Sequence, residues 1–353
     1  MSLHVLIDPK TGTIIRSEFD KIFRNDDYEV FFNTKTGLEV SRGMPNKEDP
    51  FMTELPLLLD IGIMGSCKNN CHFCYQGDFD EPNMTLENFK SIIDQTKHHV
   101  NQIALGGRGD PNKHENFEEI IRYARDNNVV PSYTTSGIGL THEEIEISKM
   151  CGAVAVSDYG RIHTFDAIQR FINAGIKTNI HLIFSRANFD KCIKLLYGSN
   201  PWLKRTFNGL EPQFELEKLN GVVFLLFKPQ GRGAECRDLI PTEYELKVMA
   251  EKVMNSKAKF KVGIDSCLAN HLYKFDVVNE IHDLVIDSCE GARMSAYISP
   301  SMNMMPCSYA DKENCSEPIT EKRDIKYIWN SSMTFIKFRS VLKKNPFTCP
   351  AGF

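Results

Sequence analysis

The chain has 353 residues, 42% of them hydrophobic and 25% charged, with a formal net charge of −4. That length accommodates one barrel of about 200–250 residues and a smaller module. The composition is that of an ordinary globular protein. The mild acidity and the lack of a polybasic stretch argue against a nucleic-acid partner, and no run of about 18 apolar residues marks a membrane-spanning helix. The first residues, Met1 to Asp8, lack a basic stretch followed by a long apolar core, so no secretory signal is expected. With eleven cysteines, the expectation is a cytoplasmic protein that uses its thiols for metals, not disulfides.

In chain order, the first 55 residues contain two similar pieces, Leu6 to Thr13 and Phe31 to Leu38, each with a Lys-Thr-Gly turn between β-rich runs. Both predict hairpins, with glycine supplying a positive φ. From Leu57 the pattern alternates between strand and helix. Strand-like runs fall at 57–63, 102–105, 129–134, 153–157, 178–184 and 222–227. Between them apolar residues recur at helical spacing, as in Leu86, Phe89, Ile92 and Ile93, and again in Phe117, Ile120, Ile121 and Ala124. Six strands joined by helices imply an α/β fold with a parallel sheet, because each parallel crossover needs a helix. Sites in such folds form at the carboxyl ends of the strands. An insertion near 200–220 is expected to cover the barrel mouth.

Directly after the first of these strands comes Cys67-Lys68-Asn69-Asn70-Cys71-His72-Phe73-Cys74. Three thiolates at C-x3-C-x2-C spacing can hold three irons of a four-iron cluster and leave the fourth open, whereas a structural cluster takes four thiolates. Zinc is the alternative; its sites pair cysteines as C-x2-C and need a fourth Cys or His. His72 would have to supply that ligand from within the same short loop.

The loop, with Phe73 before the third cysteine and Tyr75 after it, resembles the signature of the radical S-adenosylmethionine superfamily. The resemblance implies a partial (β/α)6 barrel and a [4Fe-4S] cluster on Cys67, Cys71 and Cys74. It also implies S-adenosylmethionine chelated to the open iron and cleaved to a 5′-deoxyadenosyl radical. After the second strand stands Gly106-Gly107-Arg108-Gly109-Asp110-Pro111. Glycines let backbone approach a ligand closely, and Asp110 can accept from an ammonium group. The family usually has Gly-Gly-Glu-Pro here, cradling the amino group of the cofactor; this chain inserts Arg108-Gly109 and replaces Glu with Asp. By the same resemblance Ser157 is expected near the cofactor ribose or carboxylate. Arg186 is expected on the methionyl carboxylate, since a guanidinium fits a carboxylate with two hydrogen bonds. Lys228 to Gly233 resembles a K-P-x-G-R segment common in one branch of the family.

The C-terminal third resembles the SPASM/Twitch module of that branch, which binds auxiliary four-iron clusters. The resemblance runs from Cys289 through Ile298-Ser-Pro-Ser-Met-Asn303 and Pro306-Cys307 to Trp329, Arg339 and Cys349-Pro350. Five cysteines lie there, enough for one four-thiolate cluster. Cys267, Cys289, Cys307 and Cys349 are the expected ligands, with Cys315 as substitute or loop thiol; zinc at the same four positions is the alternative. Cys151 and Cys192 are expected to be buried thiols, and Cys236 has no partner at metal spacing. His181 is placed to face the barrel interior, and Tyr133 and Tyr159 near strand ends are expected in packing.

The expected organisation is a β-rich cap at 1–55, a partial radical S-adenosylmethionine barrel at 56–257, and a small α+β auxiliary-cluster module at 258–353. The expected function is hydrogen abstraction from a peptide or protein substrate, leading to crosslinking or side-chain oxidation, with flavodoxin or ferredoxin as electron donor. Dehydrogenation of a small molecule is the alternative activity. A non-catalytic iron–sulfur or zinc protein and an RNA-modifying radical enzyme are the alternatives of other classes. The acidic balance speaks against the last.

Overall fold

The computed structural model describes residues 3–7, 14–77, 80–201, 215–275 and 288–352. At the N-terminus β1 (Leu3–Ile7) and β2 (Ile14–Glu18) pair antiparallel. The chain then forms a three-stranded antiparallel sheet of β3 (Lys21–Arg24), β4 (Tyr28–Phe32) and β5 (Glu39–Gly43). The second Lys-Thr-Gly turn joins β4 to β5, and Gly37 takes the positive φ of 75° expected of it. The first such turn lies outside the described residues. Strand β3 was not anticipated; Lys21 and Arg24 interrupt its apolar pattern.

All six anticipated barrel strands are present: β6 (Leu58–Gly65), β7 (Gln102–Arg108), β8 (Val130–Thr135), β9 (Val154–Ser157), β10 (Thr178–Phe184) and β11 (Gly221–Leu226). They lie side by side in chain order and are parallel throughout. The intervening helices are α1 (Leu86–Thr96), α2 (Phe117–Asp126), α3 (His142–Ser148), α4 (Ile162–Asn173) and α5 (Phe189–Leu196), with α6 (Glu243–Met254) following β11. Threonines start several of them. Thr141 and Thr242 form full capping boxes with Glu144 and Glu245, which satisfies backbone N–H groups that a helix start leaves open.

The sheet does not stop with the six strands. Strand β12 (Lys261–Ile264) pairs parallel with β11 at one edge. Helix α7 (Ser266–Leu272) follows it. At the other edge β13 (Ser295–Ile298) pairs parallel with β6, and β14 (Asn303–Met305) and β15 (Glu317–Pro318) extend it antiparallel. One ten-stranded sheet therefore runs through the 257/258 division, and residues of the expected C-terminal module build both of its edges. Helices α8 (Ile325–Ser331) and α9 (Met333–Lys344) close this end. The Trp329 indole donates to Thr53 O at 2.8 Å, and Arg339 donates to Ala292 O at 2.5 Å and Trp329 O at 2.6 Å. Among the described residues no helix is long and apolar enough to cross a membrane. Most of the insertion near 200–220 lies outside the described residues.

The strands sort their side chains by face, since successive residues point to opposite sides. Toward the helices go large apolar groups: Leu59, Ile61, Ile103, Leu105, Ile180, Leu182, Phe184, Val222 and Phe224 are all essentially inaccessible to solvent. They pack on Phe89, Ile92, Ile120, Ile121, Ile168 and Phe171 of the helices. Each such burial contributes about 1.5–3 kcal/mol. The opposite face carries smaller or polar groups: Asp60, Ala104, Gly106, Thr134, Ser157 and His181. A closed eightfold barrel fills this face with bulky branched residues. Here the inward row leaves a cavity.

Candidate active site

The cavity occupies about 380 Å³ at the carboxyl ends of β6 to β11, within the usual range for small-molecule sites. Its rim is the three-cysteine loop. Cys67, Cys71 and Cys74 all line it, together with Phe73 and Tyr75. The loop is tightened by the Cys74 N–H donating to Cys71 O at 3.1 Å and by Asn70 in a left-handed conformation, φ 45°. The thiols share one electrostatic field. Burial pushes the Cys71 thiol up, neighbouring Cys74 and Cys67 push it further, and Arg161 and Arg232 pull it back.

The K-P-Q-G-R-G segment after β11 latches this loop through backbone. The N–H groups of Arg232 and Gly233 both reach Cys74 O, at 2.9 and 3.4 Å. Gly231 has φ 53°, and a Cβ there would stand 2.5 Å from Tyr75 O, so only glycine permits the approach. The Arg232 guanidinium bonds the Asn70 side chain. Cys236, at the end of this segment, places its sulfur 3.7 Å from His72 O. Sequence spacing gave no reason to expect that thiol beside the loop.

Gly106 and Gly107 end β7 on the cavity wall and behave differently. Nothing stands within 4 Å of where a Gly106 Cβ would be, so that face is open. Gly107 has φ 96°, and a Cβ there would meet Gly62 Cα at 2.8 Å and Met64 O at 3.0 Å, where the β6–β7 register shifts. Asp110 lines the cavity, but its carboxylate already accepts from the backbone and hydroxyl of Ser136, at 2.7 and 2.5 Å. It thereby ties the turn after β8. Ser157 lines the cavity, hydrogen-bonded to Tyr159, whose hydroxyl burial pushes up.

Arg186 stands apart. It begins a short turn after β10, its side chain is half exposed, and its guanidinium lies 4.0 Å from Glu245, the capping residue of α6. It is not among the residues lining the cavity. The expectation that Arg186 meets a cofactor carboxylate therefore finds no support in its position.

The inner part of the cavity holds Lys228, which begins the K-P-Q-G-R-G segment, and Tyr309 and Asp60, which no sequence motif singled out. Lys228 is bonded to Asp265 and to Leu226 O at 3.1 Å, with its ammonium 4.3 Å from the Tyr309 ring centre. Asp265 also caps α7. The Tyr75 and Tyr309 rings lie 4.6 Å apart. His181 does face the interior; burial pushes its imidazole down to about 4, against the pull of Asp265, so it is neutral near pH 7. Asp60, in the middle of β6, is pushed up to about 6 by burial and by nearby Glu290. An acid at an inward position of an otherwise apolar strand was the available signal for it.

Behind Tyr309 a second group of thiols assembles. Cys267 starts α7, Cys289 precedes β13, Cys307 follows β14 and Cys349 follows α9. Burial pushes Cys267 up to about 12, with Lys228 opposing and Cys349 and Cys289 adding. Burial likewise raises Cys289 and Cys307; Cys349 adds to the first, and Cys289, Cys267 and Cys349 add to the second. Cys315 feels Asp311 and Glu317 and none of these thiols. Among the described residues no three His, Cys, Asp or Glu side chains converge closely enough to clamp one metal ion.

Residues 61–178 match the profile of the Radical SAM superfamily. The mycofactocin maturase MftC of Mycolicibacterium smegmatis is 21% identical over 305 residues, 81% of this chain and 73% of that protein. The crystal structure of Streptococcus suis SuiB bound to S-adenosylmethionine shares the fold, with a TM-score of 0.63 and 15% identity over 82% of this chain and 69% of that one. SuiB bound to its precursor peptide SuiA gives a TM-score of 0.62 at 14% identity, covering 82% and 68% of the two chains. The matched stretch holds the three-cysteine loop, the Gly106–Gly107 turn and Ser157.

Proposed function

We propose that this protein is a radical enzyme that cleaves S-adenosylmethionine and modifies a peptide or protein substrate. The observation that carries the reading is the meeting of three thiols and an open glycine wall at one cavity mouth. The donor set fits a four-iron cluster with one iron free for a ligand, and the empty direction at Gly106 leaves room for that ligand beside the loop. Cys67, Cys71 and Cys74 would hold the cluster. When bound and reduced, by a flavodoxin or ferredoxin, such a cluster supplies the electron that splits S-adenosylmethionine into methionine and a 5′-deoxyadenosyl radical.

The chain's own residues do the rest. Arg232, Gly233 and Gly231 hold the loop against the barrel. The apolar outer face of the strands and the helices seal the cavity from bulk water on that side, which protects a reactive species. Ser157 and the backbone at Gly106 line the wall on the cofactor side. Four thiols suit an auxiliary four-iron cluster, and Cys267, Cys289, Cys307 and Cys349 would hold it; Cys267 and Cys307 neighbour the cavity residue Tyr309. A peptide substrate is supported by the maturase relative and by the neighbour solved with a precursor peptide.

The test is anaerobic. The protein is loaded with iron and sulfide, reduced, and given S-adenosylmethionine; 5′-deoxyadenosine is measured by mass. Wild type is expected to release it, and the triple variant Cys67→Ala, Cys71→Ala, Cys74→Ala to release none. A fully iron-loaded wild type that releases none with candidate peptides present would replace this reading with a metal-binding module.

A further inference from the structure

Asp60 is the unexplained group of this cavity. Its carboxyl lines the interior, yet among the described residues nothing hydrogen-bonds to it or pairs with it. Asp60 is only partly shielded from solvent, and a carboxylate left without a protein partner on a cavity wall is open to a ligand. The cations lining the cavity are engaged elsewhere: Lys228 with Asp265, Arg108 with Asp80 at 3.2 Å, and Arg232 with Asn70. His181 is neutral and bonded to Thr134 at 3.5 Å.

The surroundings of Asp60 favour positive charge over a neutral donor. Glu290 acts on Asp60 as a second negative charge from the segment before β13. Tyr75, Tyr297 and Tyr309 all lie within electrostatic reach of Asp60, and each borders the cavity. Tyrosine faces attract cations. The register places Tyr297 directly beside Asp60 on one side and Ala104 on the other, so a ring flanks the carboxylate while the small methyl leaves space.

We propose that Asp60, framed by Tyr75, Tyr297 and Tyr309, is a cation-recognition subsite that takes a lysine or arginine side chain of the substrate. This deepens the peptide-modification reading and rests on it. The site orients the substrate by fixing the charged end at the barrel floor and leaving the carbons above it facing the cysteine rim. Asp60 is a specificity residue in this scheme.

The test uses three blocked tripeptides, N-acetylated and C-amidated: Gly-Lys-Gly, Gly-(Nε-acetyl-Lys)-Gly and Gly-Glu-Gly. Each is titrated calorimetrically into the iron-loaded protein with S-adenosylmethionine present and no reductant, so that nothing is consumed. Wild type is expected to prefer the lysine peptide over its acetylated form by at least about tenfold, as for a charge-assisted contact. Asp60→Asn is expected to erase that ratio, and Asp60→Lys to turn the preference toward the glutamate peptide. The ratio, not the absolute affinity, is the readout, so a general weakening does not imitate the effect. If Asp60→Lys does not fold, the near-isosteric Asp60→Asn decides alone. A wild type that ignores the charge or fails to bind the lysine peptide, or an Asp60→Asn variant that keeps the preference, overturns the proposal. Release of 5′-deoxyadenosine by wild type is scored separately: its failure beside an intact charge preference sinks the radical chemistry and leaves the subsite standing.

Discussion

Adjacent glycines at the end of β7 are expected to fail in opposite ways when substituted. Gly107→Ala puts a Cβ 2.8 Å from Gly62 Cα and 3.0 Å from Met64 O, and both obstacles are backbone that cannot swing aside. It also forces a non-glycine residue to φ 96°. Left-handed strain costs about 1–2 kcal/mol and overpacking about 1–3 kcal/mol, so a loss of roughly 2–5 kcal/mol is expected. Gly106 has neither problem: its φ is not positive, and no heavy atom lies within 4 Å of a new Cβ. Gly106→Leu should fold nearly as well as wild type but project its side chain into the 380 Å³ cavity, lowering S-adenosylmethionine affinity by tenfold or more, about 1.4 kcal/mol. Urea denaturation and equilibrium binding on the iron-loaded protein read the two effects separately. If Gly106→Leu is as unstable as Gly107→Ala, or binds S-adenosylmethionine as wild type does, the placement of the cofactor against this wall is wrong.

Two further outcomes follow from the buried groups. The rise of Asp60 from 3.8 to about 6 means that the folded state disfavours its ionised form, by up to about 3 kcal/mol. That cost is absent below the unfolded value, grows between about 4 and 6, and is fully present above 6. Asp60→Asn should therefore be more stable than wild type at pH 8 and lose that advantage as the pH falls toward 4; a difference that does not change with pH would refute the assignment. For the second thiol group, Cys267→Ala should lower reconstituted iron from about eight to about four per chain, whereas Cys315→Ala, whose thiol is perturbed by Asp311 and Glu317 and by none of the other thiols, should not change it. Equal losses in both variants would exclude the proposed ligand set.

What could be read in the chain beforehand was local. The six strands announced themselves because apolar runs and helical spacing are properties of neighbours in sequence, and the cysteine loop because its three thiols fall within eight residues. What escaped was set by partners far along the chain. Strand β13 joins β6 although more than two hundred residues separate them, and nothing local in Ser295–Ile298 says which edge of which sheet it will extend. The latch of Arg232 and Gly233 on Cys74 is made by backbone, with Gly231 against Tyr75 O, which leaves no side-chain signature beyond the need for glycine. Arg186 sits where a strand-end residue commonly meets ligand, but the capping carboxylate of α6 lies nearby and the guanidinium points outward to it. Asp60 is the instructive intermediate case. A parallel strand covered on both faces reads as continuous apolar sequence, so one acid within it already signals that one face is not packed. Only the register, with Tyr297 and Ala104 on either side, turns that signal into a statement about what the cavity is shaped to receive.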